Sequence, residues 1–398
     1  MEKFSTLLYN RFKKKITGLK QQYPQRLKFY GGGRMFGADD GGETMAQKKN
    51  RHELLYPLGV TPMADEIKIL VRAEGEDVKL LLFKKGEEEA EEVIAFKQED
   101  RIGDVWSMTL KGYDLKNMEY GFEANGSWFA DPCARAVTGW EKWGDFSRIE
   151  KRVKARLVTD DFNWEGDKRP EIPYAETIIY RLHVRGFTKH RSSGVRAKGT
   201  YAGVIEKIPY LKELGITAVL LMPSYEFDEV FRPEKMHGQE QPAPFLKEEP
   251  EEKGLTAKVN YWGYQEGLYF LPKYTYAASK DAVSEFKDMV KALHQNGIEV
   301  MMQFYFPPHI SPVKILEILK HWVLNYHVDG FQLMGGGLPL RMICEEPLFA
   351  EIKLISDQSQ SFPAEKYGGW DAAPPEYRNY GVLNDAFLYD IRKLLKGD

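Results

Sequence analysis

Short runs in which apolar and polar residues alternate dominate the chain from about residue 56 to residue 144. The clearest runs cover residues 66–72 (E-I-K-I-L-V-R), 78–84 (V-K-L-L-L-F-K) and 104–110 (D-V-W-S-M-T-L), with polar or glycine-bearing turns between them. A period of two is typical of strands that bury one face. Several short strands at this spacing predict a small β-sandwich over residues 56–145.

After about residue 175 the pattern changes to apolar runs separated by segments with helical periodicity. Apolar residues recur at helical spacing over 203–214 and 282–293, and Ser311-Pro312 begins a third helix that runs to residue 326. Strands are predicted between these helices, over residues 177–182, 218–222, 298–306 and 328–333. Alternating strands and helices predict a parallel (β/α)8-type TIM barrel over residues 176–398.

The remaining sections are an N-terminal extension over residues 1–55 and a charged linker over residues 146–175. In the extension, Phe4, Leu7, Leu8, Phe12, Ile16 and Leu19 form an apolar stripe beside a basic side. Such a helix either lies on an acidic membrane surface or packs against the rest of the protein, and packing is favoured. Residues 31–42 are a glycine-rich, flexible link.

Composition narrows the classes of partner. The 398 residues carry 56 Lys and Arg against 59 Asp and Glu, for a net charge of -3, so no overall basic field attracts nucleic acid. Cys133 and Cys344 lack metal-ligand spacing, and we predict no metal and no cofactor. Without a secretory signal pattern or an apolar run of about 18 residues, the chain is predicted to be cytoplasmic and not bound to a membrane.

Several sequence blocks carry a family resemblance. These are Y-R-L-H-V-R-G-F-T, G-T-Y-A-G-V-I-E-K-I-P-Y-L-K-E-L-G-I-T-A-V-L-L-M-P, N-Y-W-G-Y and E-F-K-D-M-V-K-A-L-H-Q-N-G-I-E-V. Together they resemble the pullulanase and glycogen-debranching branch of the alpha-amylase superfamily, glycoside hydrolase family thirteen. Residues 56–145 are similar to the starch-binding-type sandwich of carbohydrate-binding module family 48. The resemblance spans about residues 56–398 and implies α-glucan as the partner.

The resemblance also implies a retaining mechanism, which needs an Asp nucleophile after the fourth barrel strand and a Glu general acid after the fifth. In this chain Met334 occupies the nucleophile position, and a thioether cannot form a glycosyl ester. Asp357 occupies the general-acid position with one methylene fewer than Glu. Activity is therefore doubtful, and we predict glucan binding without turnover.

Other family positions are changed as well. Gln303 stands where the family has the Asp that supports the nucleophile, and Pro307 and Pro308 replace the substrate-binding Asn and His. Gln332 replaces the Arg beside the nucleophile. The block with the last family Asp would lie beyond residue 398, which leaves a barrel of about six strands that is incomplete at its C-terminal end.

Two alternatives stay open for the function. The first is an active α-1,6-glucan hydrolase in which Glu266, Asp329 or Glu345 has taken over, although strand alternation turns Asp329 toward the wrong side. The second is an interaction subunit, because an open barrel edge invites a protein partner or a second copy of the chain.

Candidate glucan-binding residues follow from the aromatic content and the resemblance. Aromatic faces stack on the C–H faces of glucose, so Tyr261, Trp262 and Tyr264 of N-Y-W-G-Y and Trp128 of the sandwich are candidates, with His309 as a displaced polar contact. The competing interpretation is that these rings only pack. We expect Trp106 in the sandwich core and Trp140 and Trp143 packed between sandwich and barrel.

Overall fold

The computed structural model describes residues 57–63, 66–157, 161–231, 258–356 and 379–396. The predicted N-terminal helix, the glycine-rich link and Asp357 lie outside these residues. Among the described helices, none is both long enough and apolar enough to cross a membrane.

The N-terminal half of the described chain is a sandwich of two antiparallel sheets. Its strands are β1 (Gly59–Pro62), β2 (Glu66–Arg72), β3 (Val78–Lys84), β4 (Glu92–Ala95), β5 (Arg101–Ile102), β6 (Val105–Lys111), β7 (Met118–Ala124), β8 (Ser127–Phe129), β9 (Val137–Thr138) and β10 (Lys154–Arg156). One sheet has the order β1-β2-β6-β5, and the other has the order β4-β3-β7-β10-β9 with β8 beside β7. The predicted sandwich is confirmed, and the alternating pattern had located β2 and β3 to the residue.

Strand β10 corrects one predicted boundary. It lies inside the segment predicted as a linker, yet it pairs with β7 and β9 in the second sheet. Ala155 of β10 is fully buried in the sandwich core together with Trp106 and Phe122. The sandwich therefore extends past residue 145. Sequence reasoning missed this strand because three residues are too few to show an alternating pattern. The remaining section boundaries stay predictions.

The C-terminal half is built on a six-stranded parallel sheet. The further strands are β11 (Ile179–Leu182), β12 (Ala218–Leu221), β13 (Tyr225–Glu226), β14 (Val230–Phe231), β15 (Lys258–Val259), β16 (Leu268–Pro272), β17 (Glu299–Phe306), β18 (Gly330–Gly335), β19 (Lys353–Ser356) and β20 (Tyr380–Val382). The parallel sheet has the order β11-β12-β17-β18-β19-β20, so its strands lie side by side in the order in which they occur along the chain. This is an incomplete (β/α)8-type barrel, as predicted, and β11 and β20 are its edges within the described chain.

Helices connect these strands. They are α1 (Val184–Lys189), α2 (Tyr201–Glu206), α3 (Ile208–Glu213), α4 (Ala282–Gln295), α5 (Pro312–Tyr326), α6 (Leu340–Cys344) and α7 (Asp385–Lys396). Helix α4 begins where the Asp281 side chain accepts a hydrogen bond from Ser284 N, and it ends at Asn296 before Gly297. Ser311 caps α5 in the same way.

The prediction of one continuous helix over residues 203–214 is wrong. The chain forms α2 and α3 instead, with Lys207 at the junction between them. Pro209 lies in the first turn of α3, where its ring and its missing N–H are tolerated, whereas inside a continuous helix they are not. Leu214 was expected on the buried face and is 46% exposed, because α3 ends before it.

Candidate functional site

The carboxyl ends of β17 and β18 carry the residues that the sequence predicts at the catalytic positions. The two strands are parallel, with Gln303 beside Gln332 and Tyr305 beside Met334. Residues two apart on a strand share a face, so Gln332 and Met334 point to the same side of the sheet. Met334 is half-buried near the end of β18.

Gly335 shows how closely the two strand ends approach each other. Its φ is +116°, and a Cβ at this position would lie 2.0 Å from Phe306 O. No side chain fits there, so the residue after Met334 is restricted to glycine. The close approach fixes the backbone from which Met334 projects.

Gln303 and Gln332 form a hydrogen-bonded pair across the two strands. Gln303 Nε2 donates to Gln332 Oε1 at 2.6 Å, and Tyr264 Oη donates to Gln303 Oε1 at 2.8 Å. Both glutamines are buried. Burial raises the pKa of Tyr264, which keeps its phenol protonated and able to donate. The result is an uncharged polar chain of three side chains beneath Met334.

Sequence reasoning treated Gln303 and Gln332 as two separate losses and missed their pairing. An Asp and an Arg at these positions would be an ion pair, and the two glutamines keep a hydrogen bond without the charges. A signal was present, because Gln303 and Gln332 are the same amide residue and each lies three residues before the end of its strand. The register between the strands, which the sequence does not contain, was needed to use it.

The N-Y-W-G-Y segment forms a braced loop beside this site. Asn260 Oδ1 accepts from Gly263 N at 3.0 Å, and Tyr225 Oη donates to Gly263 O and Gln265 O. Gly263 has φ +77°, and a Cβ there would lie 2.3 Å from the Phe227 ring. These contacts hold the aromatic residues of the loop in fixed positions.

The three aromatic candidates of this loop lie in different environments. Tyr261 stacks on His183 with ring centroids 4.3 Å apart, and Trp262 is 47% exposed with its ring edge-on to Tyr261. Tyr264 turns inward to Gln303. Trp262 is therefore the most exposed of the three rings, while Tyr264 connects the loop to the Gln303–Gln332 pair.

His183 was not singled out from the sequence, yet it organises the loop. Its Nδ1 accepts from Gly186 N at 3.0 Å, and its Nε2 lies 2.8 Å from Tyr261 O and 3.0 Å from Tyr276 Oη. Burial lowers the pKa of His183, so the ring is neutral, and the hydrogen bond from Gly186 places its proton on Nε2. The aromatic loop is thereby fastened to the beginning of α1.

A buried cluster of four charged side chains supports the same region and was also missed. Lys273 Nζ donates to Glu226 Oε1 at 2.5 Å and to Glu229 Oε2 at 2.6 Å, and Arg148 pairs with Glu229. Lys273 and both glutamates are fully buried. Burial, with Glu229 nearby, raises the pKa of Glu226 to about 7, whereas Lys273 and Arg148 hold the pKa of Glu229 below its usual value.

The remaining candidate side chains lie apart from this site or are already paired. His309 Nε2 contacts Glu266 Oε2 at 2.8 Å, and both side chains are partly exposed. Trp128 belongs to the sandwich, where its ring lies across Gly121, edge-on to Phe83 and with the Arg152 guanidinium 5.3 Å from its centroid. The structure does not bring Trp128 together with the barrel aromatics in any described ring contact.

Three tryptophans behave as expected from packing. Trp106 is fully buried in the sandwich and donates to Ala73 O. Trp143 stacks on Tyr276, and Trp140 lies 4.8 Å from the Arg148 guanidinium and 5.8 Å from Lys273 Nζ. Trp140 and Trp143 therefore contact barrel residues, which confirms their packing role.

Two of the three substitute carboxylates have structural roles. Asp329 is buried against α4, where it accepts from His294 at 2.8 Å, from Val300 N and from Arg169. Glu345 lies on the surface beside Arg341. The predicted orientation of Asp329 is confirmed. Among the described residues, no group of three or more His, Cys, Asp or Glu side chains is arranged to hold a metal ion.

The family model and two relatives that match this chain are all related to amylases or glycogen enzymes. The family pattern "Alpha amylase, catalytic domain" matches residues 181–316. Rice "Isoamylase 1, chloroplastic" is 26% identical and aligns with 86% of this chain and 53% of its own length. The "Glycogen operon protein GlgX homolog" of Haemophilus influenzae is 32% identical over 73% of this chain and 52% of its own length. The chain thus spans about half the length of these relatives.

Solved structures show the same architecture. The pullulanase of Paenibacillus barengoltzii, solved with maltohexaose and alpha-cyclodextrin, superposes with a TM-score of 0.60 at 20% identity, over 83% of this chain and 57% of that protein. The type I pullulanase of Bacillus subtilis, solved with maltose, gives a TM-score of 0.59 at 21% identity, over 84% of this chain and 52% of that protein. At this identity the similarity concerns the fold.

Proposed function

We propose that this chain, which is similar to debranching-type members of the alpha-amylase family, binds α-glucan without hydrolysing it. The observation that carries the proposal is Met334, which stands at the nucleophile position above the neutral Gln303–Gln332 pair. A retaining glycosidase needs an ionised carboxylate at that point, about 5 Å from the acid. A thioether supplies neither charge nor a bond to the sugar.

Glucan binding requires less of the site than catalysis does. The braced N-Y-W-G-Y loop presents Trp262 to solvent beside Tyr261, and an exposed ring on a rigid loop is sufficient for stacking on glucose. Relatives named isoamylase and glycogen debranching enzyme support glucan as the ligand class. A few contacts of about 1 kcal/mol each give an affinity in roughly the millimolar range.

Two measurements test the proposal. Reducing-sugar release from pullulan, amylopectin and glycogen should equal the buffer blank. Affinity electrophoresis should show retardation of the protein in gels that contain amylopectin or glycogen. If the protein releases reducing sugar and Asp357→Ala abolishes that release, the protein is a hydrolase and the proposal that it does not hydrolyse glucan is contradicted. If the protein migrates unretarded at every glucan concentration, the proposal that it binds glucan is contradicted.

The Glu266–His309 contact favours one alternative, a hydrolase with rearranged groups. Among Glu266, Asp329 and Glu345, it is Glu266 that contacts a histidine near the end of a barrel strand. This histidine is His309, which lies shortly after β17. An imidazole and a carboxylate can exchange a proton at neutral pH. Under this alternative Glu266→Gln abolishes a measurable turnover, whereas Glu345→Gln does not.

Two further predictions stand beside the proposal. A cytoplasmic location is one of them. The other is an interaction role in which a protein partner or a second copy covers an edge of the barrel sheet, and solution mass measured by light scattering tests it.

A further inference from the structure

A cluster of basic side chains lies in and directly after β11, the first barrel strand. Between Glu176 and Glu206 the sequence has no acidic residue and six basic ones, in a protein whose net charge is -3. The basic residues of this segment are Arg181, Arg185, Lys189, Arg191, Arg196 and Lys198. A local excess of positive charge in a protein of negative net charge indicates a site that binds an anion, rather than charges that only keep the protein in solution.

The fold draws these side chains together around Gly199. A Cβ at Gly199 would lie 3.2 Å from Lys189 Cδ and 3.3 Å from Arg185 Cγ, so both stems flank the residue that follows Lys198. Thr188 Oγ1 accepts from Gly199 N at 2.7 Å, which ties the loop to helix α1. The stems of Arg185 and Lys189 thus meet at Gly199, and Lys198 precedes this residue in the chain.

No carboxylate of the described residues neutralises this cluster. Arg185, Lys189 and Lys198 form no ion pair with any described acidic side chain, and Lys189 and Lys198 are exposed. The nearest acid in sequence, Glu206, accepts instead from the backbone N–H groups of Arg196 and Ala197. Its carboxylate shapes the loop and leaves the basic side chains available to a ligand.

The cluster adjoins the aromatic loop. A Cβ at Gly186 would lie 2.6 Å from Tyr261 Oη, so Tyr261 touches helix α1 next to Arg185. The Arg185 guanidinium lies 4.8 Å from the Trp143 ring centroid, and Trp143 is 6.0 Å from Tyr261. A ligand stacked on the aromatic loop therefore has the basic cluster beside it.

We propose that this basic cluster binds phosphate monoester groups carried by the α-glucan, so that the preferred ligand is a phosphorylated glucan. The inference rests on the proposed glucan-binding function. Arg and Lys are the side chains that bind phosphate, by charge-assisted hydrogen bonds. A glucose unit that bears a phosphate supplies an apolar face for the aromatic loop and an anion for the cluster.

The test compares one amylopectin preparation before and after chemical phosphorylation, by affinity electrophoresis over a range of salt concentrations. The protein should be retained about tenfold more strongly by the phosphorylated form, and the difference should shrink as salt screens the charges. Lys189→Gln/Lys198→Gln should remove the preference and leave retention by unmodified amylopectin unchanged. The matched control Lys212→Gln/Lys280→Gln removes the same charge from exposed sites outside the cluster and should keep the preference.

The outcomes separate this inference from the proposed function. Equal retention by both amylopectins overturns the phosphate preference and leaves glucan binding intact, whereas no retention by either overturns both. A preference that survives Lys189→Gln/Lys198→Gln overturns the assignment to this cluster. If inorganic phosphate competes fully at the same phosphate concentration, the site binds the free anion. If polyglutamate binds as strongly as the phosphorylated amylopectin, the site binds an acidic protein. Either result overturns the proposal that the ligand is a phosphorylated glucan.

Discussion

Gln303 Nε2 donates to Gln332 Oε1 at 2.6 Å from one buried parallel strand to the next. The pair joins the two strands by a hydrogen bond between uncharged amides. Two charges at these buried positions would need each other, because an isolated buried charge is costly. The energetic effect of a charge placed at Gln303 therefore depends on the residue at position 332, and the reverse holds as well.

This coupling predicts the result of a double-mutant cycle. Gln303→Asp or Gln332→Arg alone should each lower the free energy of unfolding by about 3 kcal/mol, because each leaves one buried charge unpaired. The double variant should recover most of that loss. Urea denaturation measures all four proteins.

Gln295→Arg is the control for this cycle, since it places the same charge at the exposed C-terminal end of α4 and should change stability by less than about 0.5 kcal/mol. Additive losses in the double variant would show that the two positions do not interact.

Restoring the nucleophile alone should not restore hydrolysis. Met334→Asp supplies a carboxylate, but it leaves Gln303, Gln332, Pro307 and Pro308 unchanged, and catalytic groups that act as a unit contribute non-additively. We expect reducing-sugar release from pullulan to stay at the buffer blank in Met334→Asp, with Met334→Asn as the uncharged control. Turnover in the Asp variant alone would mean that the rest of the site is competent.

The aromatic loop and the sandwich should respond differently to loss of a ring. Trp262→Ala should weaken glucan retention about fivefold, since it removes an exposed stacking face worth about 1 kcal/mol. Trp128→Ala should mainly lower stability, because its ring lies across Gly121 and against Phe83.

Affinity electrophoresis and urea denaturation distinguish these two effects. Phe146→Ala, at another exposed ring, serves as the control and should change neither. The opposite assignment, with binding lost in Trp128→Ala and kept in Trp262→Ala, would place the glucan on the sandwich.

His294 should make stability depend on pH. Its Nδ1 contacts Asp167 at 2.9 Å and its Nε2 contacts Asp329 at 2.8 Å, and these two carboxylates raise the pKa of His294. A raised pKa means that the folded state holds the proton more tightly. The stabilisation is therefore complete below about pH 6.5 and is lost as the pH rises through the folded-state pKa. The pKa of Asp329 is lowered by its hydrogen bonds to His294 and Val300 N, so its contribution is lost as the pH falls below about 4.

Urea denaturation at several pH values checks the effect. His294→Gln should lower the free energy of unfolding by about 2 kcal/mol at pH 6 and flatten its decline above pH 6.5. His309→Gln, at an exposed histidine, should leave the pH profile as it is. An unchanged profile in His294→Gln would show that another group carries the dependence.

The sequence by itself determined the alternation of strands and helices and the resemblance to the alpha-amylase family. Period-two runs located β2 and β3, and the capping residues Asp281 and Ser311 marked where α4 and α5 begin, because these signals are local and depend only on neighbouring residues. The prediction that Met334 occupies the nucleophile position also comes from the sequence, since Met334 lies in a block whose flanking residues resemble the family pattern.

The tertiary structure alone decided which side chains meet. The pairing of Gln303 with Gln332, the contact of Tyr264 with Gln303 and the packing of Tyr261 on His183 each join residues from separate elements. Such contacts depend on strand register and on how loops fold back across the sheet. Neither is encoded in a local pattern, because both result from the packing of the whole core.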